Sequence, residues 1–219
     1  MKKLVIVCSS RARVANVKKL IGALKATKAT CDLVIGADDD DKSNYESLEV
    51  RVSRGPQAGC VATINRVALE VVDNYEAICI IGDDQLPRTK NWDKTLLEVL
   101  DNKYKGTGIV YGDDLFQSEK HPTGVVISSN LVKALGFVAP PCLHHMYADD
   151  FWLNLGRSLG RIAYVPEVVI EHMHPVCGKA EMDESYELSG SFMDQDGKAW
   201  SKYISEQFTG DVRKCKVLL

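Results

Sequence analysis

The chain is short of several things, and each absence removes a class of function. No apolar run exceeds strand length, whereas a membrane-crossing helix needs about 20 consecutive apolar residues. The polar turn after the first apolar run, Ser9-Ser10-Arg11-Ala12-Arg13, contains no glycine. A phosphate-cradling glycine loop is therefore missing, which argues against dinucleotide dehydrogenases, Walker-type ATPases and sugar nucleotidyltransferases. No Gly-x-Ser-x-Gly elbow occurs, so hydrolase chemistry of that kind is not expected. The seven cysteines are scattered and odd in number, without close metal-type pairs. A reduced, cytoplasmic setting is expected, with Cys8, Cys31 and Cys79 acting as small buried apolar residues. Charge of one sign is also lacking: 27 basic against 30 acidic residues leave a net charge of −3. That is no footprint for nonspecific binding to DNA or membranes, though it permits a local basic groove. There is no internal repeat, low-complexity stretch or flexible linker, and residues 1–219 read as one domain.

What is present alternates. Apolar runs at 4–8, 31–37, 48–52 and 77–81 predict strands, and the opening run is read as a first strand rather than a targeting segment. Between them, Val14, Val17, Leu20, Ile21 and Leu24 recur at helical spacing, as do Val61, Ile64, Val67, Ala68 and Val71 within 57–73. A further helix is expected from 92 to 100. This order predicts an α/β fold with a mostly parallel sheet flanked by helices. The half from about 106 onward is less regular. Short strands are expected at 108–111, 123–128, 161–165 and 168–171, and helices at 131–135 and 149–159. Residues 136–147 read as a loop, and the tail from about 183 is polar and helical in parts.

The chemistry concentrates at strand ends. Gly82-Asp83-Asp84 follows the apolar run 77–81, so two carboxylates stand at the carboxyl end of a buried strand, where open α/β sheets bind ligands. Adjacent carboxylates repel unless a cation or donor compensates them, and a divalent ion with a phosphorylated ligand does so. A solvated turn is the alternative. Further acidic groups follow other strands, at Asp38 to Asp41 and at Asp113-Asp114, and Asp149-Asp150 opens a helix. His172 and His174 flank Met173 after the last strand. In an extended segment their rings share a face, and imidazole with carboxylate suits Mn²⁺ or another first-row ion. Arg11, Arg13 and Arg54 offer guanidinium groups that match phosphate geometry.

Taken together, the Ser-Arg turn after the first strand, the acidic turn after the second, and Arg54-Gly55 before a helix carrying Asn65 resemble a known pattern. With strand-Gly-Asp-Asp, Tyr147-Ala148-Asp149-Asp150-Phe151-Trp152 and Glu171-His172-Met173-His174-Pro175, they resemble GT-A nucleotide-sugar glycosyltransferases of the large inverting family 2. The likeness covers about residues 4–176, and extends to small stand-alone glycosyltransferases of bacteriophages. It implies a nucleotide-sugar half (about 1–105) and a smaller acceptor half (about 106–219). Ser10, Arg11, Asp39, Arg54, Asn65 and Asp83 would contact the nucleotide. Asp84, with His172 or His174, would hold Mn²⁺ or Mg²⁺. Asp150, or Asp149, would be the base that deprotonates an acceptor hydroxyl. A UDP-sugar is the implied donor, and a hydroxymethylated pyrimidine in phage DNA one possible acceptor. The Gly-Asp-Asp-Gln sequence departs from an Asp-x-Asp motif, so the metal-binding carboxylate stays open. Two rival classes share these residues: a metal-dependent hydrolase or phosphodiesterase, and a nucleotide-sugar-binding module without turnover.

Overall fold

Strand β1 (Lys2–Ser9) shows why the centre of the molecule is two-sided. Successive strand side chains point to opposite faces. Leu4, Ile6 and Cys8 enter one apolar core and Val5 and Val7 the other. In the computed structural model, which describes residues 2–219, every central strand is buried on both faces in this way. That explains the continuous apolar runs, since only strands covered by helices on both sides lack polar alternation.

In chain order β1 is followed by α1 (Val14–Ala26), β2 (Asp32–Asp38), β3 (Arg51–Gly55), α2 (Cys60–Val71) and β4 (Tyr75–Ile80). Then come β5 (Gln85–Pro87), α3 (Trp92–Tyr104), β6 (Ile109–Asp113), β7 (Val125–Ser128), α4 (Ser129–Leu135), α5 (Ala148–Leu159) and β8 (Ile162–His172). Three helices close the chain: α6 (Glu184–Ser191), α7 (Met193–Glu206) and α8 (Phe208–Lys216). One eight-stranded sheet has the order β3-β2-β1-β4-β7-β6-β8-β5. Helices α1 and α3 cover one face, contributing Val17, Leu20, Leu96 and Leu100. Helices α2, α4, α5, α7 and α8 cover the other.

The first four strands are parallel, as expected. Beyond β4 the sheet is mixed: β7 runs antiparallel to β4 and β6, and β6 is parallel to β8. Two reversals restore direction, so β1, β2, β3, β4, β6 and β8 all end at one edge. Ser9, Asp38, Gly82, Asp113 and His172 therefore arrive at the same side of the molecule.

Three local departures from expectation have physical causes. The third strand starts at Arg51 rather than 48, because Glu49 takes a left-handed conformation (φ 55°) that ends the preceding 3₁₀ turn. The two strands expected at 161–165 and 168–171 are one. Pro166 and Glu167 form an exposed bulge between them, where the register with β6 jumps from Val165 to Val169. A bulge is where a strand tolerates proline. Strand β5 went unforeseen, being only three residues long.

Gly59 locks α2 to the loop that precedes α5. It sits at φ 90°, and a Cβ there would lie 2.8 Å from the His144 carbonyl oxygen. That same oxygen accepts a hydrogen bond from the Val61 amide at 3.0 Å. Gly59→Ala should cost about 1–3 kcal/mol of stability, read by urea denaturation. Unchanged stability would show that the loop yields freely.

Candidate active site

The edge where the strands end opens into a cleft of about 860 Å³. Its floor is the turn after β4. Asp83 is buried there, accepting hydrogen bonds from Ser10 Oγ at 2.6 Å and Arg13 Nη1 at 3.2 Å. Burial raises its pKa to about 6, against the lowering effects of Ser10 and Arg13. Asp84 is treated differently. Its Oδ2 accepts from the Tyr186 hydroxyl at 2.7 Å and lies 3.4 Å from His172 Nε2. Burial opposes its ionisation, yet His172, Tyr186 and Arg13 together hold its pKa below the ordinary carboxylate value. The sheet creates the Asp84–His172 pair. Strand β5 pairs antiparallel with β8, placing Gln85 opposite His172, and the Met173 amide bonds to the Asp84 carbonyl at 2.8 Å.

His172 and His174 are not equivalent. His172 faces Asp84, and burial lowers its pKa less than Asp84 and its acidic neighbours raise it. Its Nδ1 is buried without a hydrogen-bond partner, 3.9 Å from Asp114 Oδ2. His174 lines the cleft as well, but its Nδ1 accepts from the Val176 amide at 3.2 Å and its face is stacked on Phe116. Asp114 shapes this wall. Its Oδ1 accepts the amides of Phe116, Gln117 and Ser118, and its Oδ2 the Thr123 hydroxyl.

Among the described residues no three His, Cys, Asp or Glu side chains converge on one point. Asp84 and His172 nevertheless fit a divalent ion that takes its other ligands from phosphate and water, as Mg²⁺ commonly does. The unpartnered buried His172 Nδ1 beside Asp114 also fits, since a ligating histidine normally directs its other ring nitrogen at a carboxylate.

The nucleotide-side residues divide. Ser10, Arg11 and Asp83 line the cleft, and so does Asp38, which accepts from Arg11 Nη1 at 2.8 Å. Asp39 does not line it: its side chain is exposed, because β2 ends one residue earlier and directs Asp38 inward. Arg54 is committed to the backbone carbonyls of Asp38, Asp41 and Ser43 and to Glu46. Asn65 is buried and consumed by the backbone of Val138 and Ala139. Both stitch loops together outside the cleft lining. Of the acidic pair on α5, Asp149 lines the cleft and Asp150 does not. One residue turns a helix by about 100°, so the two cannot share a direction. Burial raises the Asp149 pKa to about 6, with His121 and His172 pulling it down.

The remaining wall was not read from sequence. Helix α6 lies across the mouth although none of its side chains is buried. It is fixed by Asp183, which caps it and binds Arg13 Nε at 2.9 Å. Tyr186 is the second anchor: its ring lies 4.0 Å from the Arg13 guanidinium carbon. Fully buried Asp196 on α7 holds the loop before Asp149, accepting the amides of His144, His145 and Met146 and pairing with His144 Nδ1 at 2.9 Å. Polar residues in the tail gave no periodic signal that could have pointed to these contacts.

No protein-family model and no curated sequence matches the chain. Solved structures do match in fold. Glucosyl-3-phosphoglycerate synthase from Mycobacterium tuberculosis, in complex with Mg²⁺ and UDP, superposes with a TM-score of 0.58 at 15% identity, over 90% of this chain and 80% of that one. TarS from S. aureus gives 0.58 at 13% identity over 78% of this chain, which spans 37% of the TarS chain. A CMP:2-keto-3-deoxy-manno-octonic acid synthetase complexed with CTP gives 0.54 at 9% identity, over 87% and 99%. The fold is thus α/β, a mixed eight-stranded sheet flanked by helices, GT-A-like and Rossmann-like in type.

The half-buried Asp149 carboxyl has a consequence for stability. Its folded pKa of about 6 lies above the ordinary aspartate value of about 3.9. The folded chain therefore holds this proton more tightly than the unfolded chain. That stabilisation is complete below about pH 4 and is lost as pH rises through 6. Asp149→Asn escapes the loss. It should be about 1–2 kcal/mol more stable than the wild type at pH 7.5 and equal to it near pH 4. Equal stability at both pH values would place Asp149 in water.

Proposed function

We propose that the chain is a metal-dependent glycosyltransferase that moves a sugar from a UDP-sugar to an acceptor hydroxyl, with inversion. The observation that carries this is the convergence of Asp149, unengaged and with a raised pKa, on the cleft that also contains Asp83, Asp84 and His172. The fold it shares with glucosyl-3-phosphoglycerate synthase, solved with Mg²⁺ and UDP, supports a nucleotide-sugar donor.

In this reading Ser10, Arg11, Asp38 and Asp83 bind and orient the nucleoside. Asp84 and His172 would hold Mn²⁺ or Mg²⁺, with Arg13 beside them. When bound, the ion stabilises the charge that grows on the leaving diphosphate. Asp149 takes the proton of the acceptor hydroxyl as its oxygen attacks the anomeric carbon. The bond from that carbon to the phosphate oxygen breaks, and UDP leaves with the electron pair. One displacement inverts the anomeric centre. A carboxyl with a pKa near 6 suits the task, being ionised at neutral pH yet basic enough to accept a proton. Water in the acceptor position would make the same site a hydrolase.

Three outcomes follow for variants. Asp84→Ala and His172→Ala should each abolish Mn²⁺-dependent UDP binding in calorimetry, while His174→Ala changes it little. Equal losses at both histidines would contradict the assignment. Asp149→Asn should keep UDP binding and lose about 10²–10⁴-fold in transfer, whereas Asp150→Asn should remain near wild type. The reverse ranking would move the base to Asp150. Finally, the Tyr186 hydroxyl holds the Asp84 oxygen that an ion would use. Tyr186→Phe should tighten Mn²⁺-dependent UDP binding about three- to tenfold. Weaker binding would instead make Tyr186 part of the donor site.

A further inference from the structure

We infer that the acceptor end of the cleft takes a neutral ring with one apolar face and a free hydroxyl, seated against the Phe192–His144 pair, and discriminates against phosphorylated or carboxylated acceptors. The inference rests on the transferase reading above and adds the chemical class of the acceptor to it. Among the described residues, Arg11 and Arg13 are the only lysines or arginines that line the cleft. Both stand at the nucleotide end and both are already paired, Arg11 with Asp38 and Asp40, Arg13 with Asp83 and Asp183. The carboxylates lining the same space are Asp38, Asp83, Asp84 and Asp149. The histidines that line it are engaged or kept neutral: His144 pairs with Asp196, His172 faces Asp84, His174 Nδ1 accepts from the Val176 amide, and burial lowers the His145 pKa. A phosphate or carboxylate brought next to Asp149 would therefore meet like charge and no free cation.

The wall contributed by the 144–147 loop, α5 and the end of α6 has the opposite character. It is built from His144, Met146, Tyr147, Trp152, Leu188 and Phe192. The rings of His144 and Phe192 stack with centroids 4.9 Å apart and planes within 4°. This shelf is rigid. Asp196, with no exposed surface, binds His144 through both its amide and Nδ1, so the ring nitrogen nearest the protein is not free to meet an anion. The His144 carbonyl is pinned in turn by Val61. Three residues after His145 the chain enters α5 and presents Asp149. The shelf and the base are therefore one connected unit, and a ring lying on the shelf carries its hydroxyl toward the base. Rigid aromatic surface with a few fixed polar groups is how proteins bind neutral rings. A sugar ring through its C–H face and a pyrimidine through its π-face share that chemistry.

The test uses binding, so it does not depend on knowing which sugar is donated. Protein saturated with Mn²⁺ and UDP is titrated with methyl β-glucoside, 5-hydroxymethyl-2′-deoxycytidine and 3-phosphoglycerate. At least one neutral ring should bind, the two ring probes separating sugar from pyrimidine, and 3-phosphoglycerate should bind at least about tenfold more weakly. Phe192→Ala should weaken ring binding about tenfold, with UDP affinity unchanged, and Phe192→Tyr should restore it. Equal or tighter binding of 3-phosphoglycerate overturns the inference, as does binding of neither ring or ring affinity indifferent to Phe192→Ala. The wild-type comparison decides the matter even where Phe192→Ala fails to fold. Absence of Mn²⁺-dependent UDP binding to the wild type would be a different failure, that of the transferase reading itself, and the acceptor assignment would fall with it.

Discussion

Two neighbouring carboxylates at the end of a buried strand cannot both be ionised without help, and much of this molecule is the help. Asp83 and Asp84 leave β4 in sequence but reach different partners. Asp83 is met by Ser10 and Arg13 from the turn after β1. Asp84 is met by His172 at the end of β8 and Tyr186 on α6. Burial pushes Asp83 toward the neutral form, and the second set of partners keeps Asp84 ionised. The turn thus offers two carboxyls of different basicity within a single dipeptide, Asp83 the more basic and Asp84 the less. Splitting their pKa values in this way is what separates two carboxyl groups into two roles.

This arrangement depends on sheet topology more than on any motif. Asp84 and His172 are 88 positions apart, and they meet because the three-residue strand β5 pairs with the far end of β8. The antiparallel β7 matters for the same reason. Lying between β4 and β6 in the sheet and antiparallel to both, it leaves β6 and β8 ending at the edge where β1, β2 and β4 end. Asp113-Asp114 and His172 then reach the nucleotide-side residues without a long connection. Helix α6 lies over the result with no buried side chain of its own, attached through Asp183 and Tyr186 to the groups that a diphosphate and its ion would use. An element with no buried side chain is of the kind that opens locally at low cost.

The parallel half was legible because its strands serve two cores and so read as unbroken apolar runs, and because α1 and α2 keep helical spacing. The edge carboxylates were legible from the glycine that ends β4. Finer choices were not. Within Asp38 to Asp41 the inward residue is fixed by where β2 stops, and Asp38 rather than Asp39 faces the cleft. Within Asp149-Asp150 it is fixed by the rotation of α5. Asn65 and Arg54 have side chains suited to a nucleotide, but the backbone of loops distant in sequence consumes their hydrogen bonds. Asp196 and Tyr186 lie in a polar tail without periodicity, and their contacts to residues 144–146 and to Asp84 exist only in three dimensions.

The central claim is that the β4–β8 edge holds a metal-bridged nucleoside diphosphate. Diffraction from crystals grown with Mn²⁺ and UDP, recorded at the manganese absorption edge, tests it most directly. The account predicts one strong anomalous peak between the Asp84 carboxylate, His172 Nε2 and the phosphates, with the Tyr186 hydroxyl displaced from Asp84. A peak elsewhere, or UDP bound with no peak between Asp84 and His172, would contradict it.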